Sequence, residues 1–128
     1  MLISQGIDLL NVKRINKVYK RYGQRFLEKV FSYNDLEIFK KRNKLNFLAN
    51  RFAAKEAVLK AFGFGWRGGV KFTEIEILND HYGKPEVFLH GKTKEILYNS
   101  CNLKIININV SISDENEYVV ASVLLIQE

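Results

Sequence analysis

The chain has 128 residues, 47% hydrophobic and 27% charged, with one proline, which excludes a disordered chain and leaves one globular domain over residues 1–128. A chain of this length can bury roughly two-thirds of its unfolded surface. Its lone cysteine, Cys101, excludes an internal disulfide. The net charge of +6, from 20 basic and 14 acidic side chains, favours an acidic partner: nucleic acid, a phosphorylated small molecule or an acidic protein. The N-terminus has no basic leader pattern, and the longest apolar run, Val119 to Ile126, is far too short to span a bilayer. The expected location is the cytoplasm.

Met1 to Leu10 reads as a short apolar strand. Gly6 inside it marks a bulge or a close approach by another group. Asp8 interrupts the apolar run as a turn or cap aspartate, or as an exposed metal-binding carboxylate. From Val12 to Phe31 apolar residues recur at three- and four-residue steps, giving two short helices broken at Gly23. Arg14, Lys17, Arg21 and Arg25 fall opposite the apolar face as a basic stripe. Ser32 or Asn34 caps a third helix, with Glu37 placed to complete the cap, and that helix fades into the basic run Lys40–Lys44.

Asn46 to Phe62 is the longest predicted helix, stopped at Phe62-Gly63 and followed by a glycine-rich loop to Gly69. Phe47, Leu48, Phe52, Val58, Leu59 and Phe62 cover one side; Ala49, Ala53, Ala54, Ala57 and Ala61 cover most of the other. A helix apolar nearly all round is buried, and its alanines let another backbone come close. Arg51, Lys55, Glu56 and Lys60 lie inside it, so each must be paired, bound to a ligand or metal, or able to reach water.

Beyond the loop, Val70 to Ile77 and Pro85 to Leu89 read as a strand pair around the turn residues Asn79–Gly83. A helix over Gly91–Leu103 follows. Ile105–Ser113 and Tyr118–Ile126 form a last strand pair joined by Asp114–Glu117. This order predicts an α+β fold, a mainly antiparallel sheet with helices packed on one face.

Glu56 and Lys60, at i,i+4, suit a simple helix salt bridge. Arg51 and Lys55, also i,i+4, repel unless an anion lies nearby. Asp8 and Glu56 suit Mg²⁺, which takes one or two protein carboxylates and completes its shell with water and substrate phosphates. His81 and His90 lack zinc-ligand spacing, no serine or cysteine has an evident histidine partner, and the loop matches neither common phosphate-binding glycine pattern. The residues alone therefore reach a magnesium-dependent enzyme or binder of a phosphorylated ligand. The competing class is a small RNA-binding module, suggested by the basic and aromatic residues of Tyr19–Tyr22 and Lys40–Lys44, which leaves Asp8 and Glu56 unexplained.

GIDLLNVKRI at Gly6–Ile15 and RFAAKEAVLKAFG at Arg51–Gly63 resemble the two signatures of the 4'-phosphopantetheinyl transferases. Gly83-Lys84-Pro85 and the VSIS tract before a Tyr-containing strand extend the similarity over nearly the whole chain, in the order of the short, single-domain members. The resemblance implies the 4'-phosphopantetheinyl transferase fold with one half-unit per chain, and a homotrimer with sites between subunits. It implies transfer of 4'-phosphopantetheine from coenzyme A to a serine of apo-acyl carrier protein for fatty acid biosynthesis, releasing adenosine 3',5'-bisphosphate. By matching position, Asp8 and Glu56 would hold Mg²⁺, and Glu56, directly or through water, would be the base. Lys60 would neutralise the pyrophosphate, Arg51 would contact the nucleotide phosphates, and Gly83, Lys84 and Pro85 would line the nucleotide pocket. Arg14, with Lys17, Arg21 and Arg25, would dock the acidic carrier protein. Asp114 departs from the pattern: many members carry histidine there.

Overall fold

The computed structural model describes residues 1–65 and 68–128; Trp66 and Arg67 of the glycine-rich loop lie outside the described residues. The apolar start of the chain forms β1 (Leu2–Asn11). Two helices follow, α1 (Val12–Tyr22) and α2 (Gln24–Val30), separated at Gly23, whose φ of 56° suits glycine. Next come α3 (Tyr33–Arg42) and the long α4 (Leu45–Ala61). The second half contains β2 (Ile75–Asn79), β3 (Pro85–Leu89), α5 (Gly91–Asn99), β4 (Ile105–Glu115) and β5 (Tyr118–Gln127).

All strand pairing is antiparallel. β5 is the centre of a three-stranded sheet, β1-β5-β4, while β2 and β3 form a separate hairpin. Along β5, Val119, Ala121, Val123 and Leu125 are buried under α4, and alternate residues face away. β1 obeys the same alternation, so Gly6, Asp8 and Leu10 share the inner side while Ile3, Ile7 and Leu9 stay exposed.

Gly6 sets the depth of the helix–sheet contact. A Cβ there would run into the Ala57 carbonyl oxygen and the Ala61 amide nitrogen. Glycine on the strand and alanine on the helix let the two backbones meet directly, which is the close approach the sequence suggests for both.

Several boundaries differ from the sequence reading, each for a local reason. α3 is capped by Ser32 in a reciprocal box with Asp35, rather than with Glu37. The strand expected from Val70 begins only at Ile75, after a 3₁₀ turn over Phe72–Glu74. There the Lys71 amide donates to Thr93 Oγ1 and the Phe72 carbonyl accepts from Lys55, so side chains occupy the groups a strand would use. α5 stops at Asn99, short of Leu103, where the Ser100 hydroxyl donates to the Leu97 carbonyl. The final hairpin turns tightly at Asn116, φ 56°, so β4 runs on to Glu115.

The core also holds a polar network that the sequence did not reveal. Lys55 is fully buried with its amine 2.8 Å from Asp35 Oδ2, and it donates to the Val30 and Phe72 carbonyls at 3.1 and 2.8 Å. Ser32 links this pair to Glu76, donating from its hydroxyl at 2.6 Å, and Asn34 and His90 Nε2 meet the same carboxylate at 3.1 and 2.8 Å. Burial works to raise the Glu76 carboxyl, but the bonds from Ser32, His90 and Asn34 and the charge of His90 outweigh it and hold the group below its ordinary value. A carboxyl lowered by folding binds fewer protons in the folded state. Its stabilisation is therefore complete above the unfolded value and is lost as pH falls through the lower folded one. Glu76→Gln should accordingly flatten the loss of melting temperature on acidification from about pH 5 to about pH 3, as read by circular dichroism.

Candidate active site

Gly6 seats β1 on the last turns of α4. Two residues along the same face, Asp8 reaches Lys60, whose amine donates to Asp8 Oδ1 at 3.0 Å and to the Ile7 carbonyl at 2.9 Å. The Asp8 side chain is only 16% exposed, whereas that of Lys60 is 52% exposed, so the pair lies at the boundary between core and solvent. An ammonium has three donors, and these bonds use two. Glu56, half-buried, stands one turn before Lys60 on the same stripe of α4. The ion pair of Lys60 is thus with the strand carboxylate, across the β1–α4 contact.

These side chains offer hard carboxylate oxygens. Among the described residues no group of three or more His, Cys, Asp or Glu side chains forms a metal cluster. A donor set of Asp8 and Glu56 fits a cation that accepts few protein ligands and shares itself with water and phosphate, as Mg²⁺ does, better than zinc.

Arg51 enters from the first half of α4 and is 5% exposed. Its guanidinium stacks on Phe47, 4.8 Å from the ring centroid, and Nη2 donates to Asn79 Oδ1 at 3.4 Å. Burial pushes it below its ordinary value, Asp35 pulls it up and Arg42 pushes it down; it remains a cation. Among the described residues, its Nε and the neighbouring Asn50 Oδ1 are buried without hydrogen-bond partners. Both residues line a cavity of about 160 Å³ together with Arg42, Asn79, Gly83, Pro85 and Asp114.

Gly83 and Pro85 thus join Arg51, as the sequence suggests. Lys84 lines a second cavity, of about 440 Å³, with Tyr98 and the start of β4, and Pro85 lines both. Asp80 Oδ1 accepts from the Tyr82 and Lys84 amides, and Gly83, at φ 87°, reverses the chain between them. Arg42, Asn50 and Asn79 were missed as cavity residues. The run Lys40–Lys44 carried a signal for Arg42; lone asparagines carry none.

Arg14, Lys17 and Arg21 are exposed on α1, and Arg25 is exposed on α2. Ile15 turns the opposite face of α1 into the core. Asn11 ends β1 and caps α1 through the Lys13 amide, so the basic stripe starts a few residues beyond Asp8.

The family model of the 4'-phosphopantetheinyl transferase superfamily matches residues 4–123. A holo-[acyl-carrier-protein] synthase of Wigglesworthia glossinidia brevipalpis is 40% identical over 129 aligned positions, covering 96% of this chain and 91% of its own. The crystal structure of the synthase from Neisseria meningitidis superposes with a TM-score of 0.87 at 38% identity, covering 97% of this chain and 98% of that one. The Helicobacter pylori synthase, solved in complex with coenzyme A, superposes with a TM-score of 0.80 at 28% identity, covering 94% and 98%.

Proposed function

The chain belongs to the 4'-phosphopantetheinyl transferase superfamily, and from that premise we infer that it transfers 4'-phosphopantetheine from coenzyme A to a serine of apo-acyl carrier protein. The observation that carries the reading is the meeting of Asp8 with Lys60 across the β1–α4 contact, one helical turn from Glu56. The serine oxygen attacks the phosphorus that bears the pantetheine. The bridging P–O bond breaks, adenosine 3',5'-bisphosphate departs, and the serine proton passes to a base.

Each role uses a group whose surroundings suit it. Glu56 accepts the serine proton, directly or through water. The third donor of Lys60 meets charge growing on the bridging oxygen while its other two fix it to β1. Mg²⁺ held by Asp8 and Glu56 would supply charge neutralisation at the pyrophosphate. Arg51, with Gly83 and Pro85, would receive the nucleotide; its buried, unpartnered Nε supports that assignment. Lys84, on the adjoining cavity that shares Pro85, would stand at the edge of the same nucleotide site.

The carrier protein would dock on Arg14, Lys17, Arg21 and Arg25, all exposed. Such contacts speed association and weaken with salt. A cytoplasmic homotrimer serving fatty acid biosynthesis completes the proposal. The outward apolar face of the sheet, with Ile3, Ile7, Leu9 and Leu124 exposed, supports self-association. Among the described residues, no helix is long and apolar enough to cross a membrane.

The test is calorimetric titration with coenzyme A. Binding that needs Mg²⁺ and weakens at least about tenfold in EDTA supports the assigned site; metal-independent binding of equal strength contradicts it.

A further inference from the structure

Resting on that reading of the site, we infer that Phe47 is a positioning residue for the nucleotide, its ring holding Arg42 and Arg51 together as a clamp for a phosphate. The two guanidiniums come from different helices. Arg51 stands one turn after Phe47 on α4, where residues four apart face each other. Arg42 is the last residue of α3 and comes across the short turn at Asn43, φ 48°. They lie 5.7 Å (Arg42) and 4.8 Å (Arg51) from the centroid of the same ring, which is 4% exposed. Among the described residues neither guanidinium forms an ion pair with a carboxylate, and the Arg51 Nε is buried without a hydrogen-bond partner.

Like charges so placed repel, and a carboxylate between them would neutralise what a ligand could use. An aromatic face attracts both cations and leaves their charge available. Phe47, Arg42 and Arg51 all line the cavity of about 160 Å³. The same two arginines line a further cavity of about 450 Å³, together with Glu37. Without the ring, Arg42, exposed at the end of α3, has that space and that carboxylate to turn to, and the clamp loses an arm. The clamp lies far from bond cleavage. Over positions 51 to 60, at about 1.5 Å per residue, Arg51 is about 13.5 Å along α4 from Lys60. An interaction that distant holds substrate and transition state alike, so its loss appears in KM and not in kcat.

The experiment compares the wild-type chain with Phe47→Leu, Phe47→Met, Phe47→Tyr, Arg42→Gln and the double variant Phe47→Leu/Arg42→Gln, each below its melting temperature. Coenzyme A affinity is read by calorimetry, and kcat and KM from carrier-protein modification. The inference expects Phe47→Leu and Phe47→Met, apolar but ringless, to weaken coenzyme A binding and raise its KM by about 3- to 10-fold, with kcat kept. It expects Phe47→Tyr, which keeps the ring, to bind like the wild type. The double variant should lose less than the product of the two single losses. Arg42→Gln changes only an exposed side chain and should weaken binding whether or not the ringless variants fold. Wild-type affinity in Phe47→Leu, Phe47→Met or Arg42→Gln, a fall in kcat at unchanged KM, an equal loss in Phe47→Tyr, or fully multiplicative losses in the double variant overturns the role of Phe47 and leaves the transferase reading intact. A wild-type chain that neither binds coenzyme A nor modifies a carrier protein overturns both.

Discussion

Glu56→Gln should lower the rate of carrier-protein modification by about 10²–10⁴-fold, the range of a positioned general base, while the protein melts close to the wild-type temperature. The amide keeps the size and shape of the side chain, and Glu56 is half-buried on a helix whose packing comes from other positions. What is lost is the negative charge, and with it both proton acceptance and one of the two carboxylates assigned to the metal. Coenzyme A affinity in Mg²⁺ should fall as well. A variant that modifies the carrier at the wild-type rate would remove Glu56 from the mechanism.

The second large effect concerns folding. Lys55→Met should destabilise the chain by about 3–5 kcal/mol, because removing one partner leaves the Asp35 carboxylate buried and uncompensated. Asp35 and Lys55 are both fully buried at 2.8 Å, and the lysine also satisfies the Val30 and Phe72 carbonyls. One charge thereby ties the end of α2, the cap of α3 and the turn before β2 to the central helix. For a domain of this size the loss corresponds to roughly 10–20 °C in melting temperature. Pairing Lys55→Met with Asp35→Asn, which removes the stranded charge and keeps a capping side chain, should recover a large part of it. Equal melting of Lys55→Met and wild type would contradict the assigned role.

Much of the fold was legible because it rests on local signals. Apolar periodicity marks α1, α2 and α4, Gly23 breaks the helix where a positive φ is needed, and Gly6 faces alanines that leave room for it. The charges inside α4 flagged that helix as functional, but their separate fates depend on what lies across from each. Lys55 meets Asp35 from another helix and becomes structural; Arg51 meets a cavity; Lys60 meets Asp8 from the first strand. Nothing local in Arg51 and Lys55, both cations in one helix, distinguishes these outcomes. Around the positive-φ Gly83 the turn lines two adjoining cavities, Gly83 the smaller, Lys84 the larger and Pro85 both. The Glu76 network joins elements distant in sequence through single hydrogen bonds, which leave no periodic trace.

The central claim is that Asp8, Glu56 and Lys60 form one metal-dependent transfer site. Its most direct test is the intact mass of a purified apo-acyl carrier protein after incubation with this chain, coenzyme A and Mg²⁺. The account predicts a gain of one phosphopantetheine, abolished by EDTA and restored by added Mg²⁺. A carrier protein of unchanged mass under conditions where the chain is folded, or a gain that persists undiminished in EDTA, would contradict it.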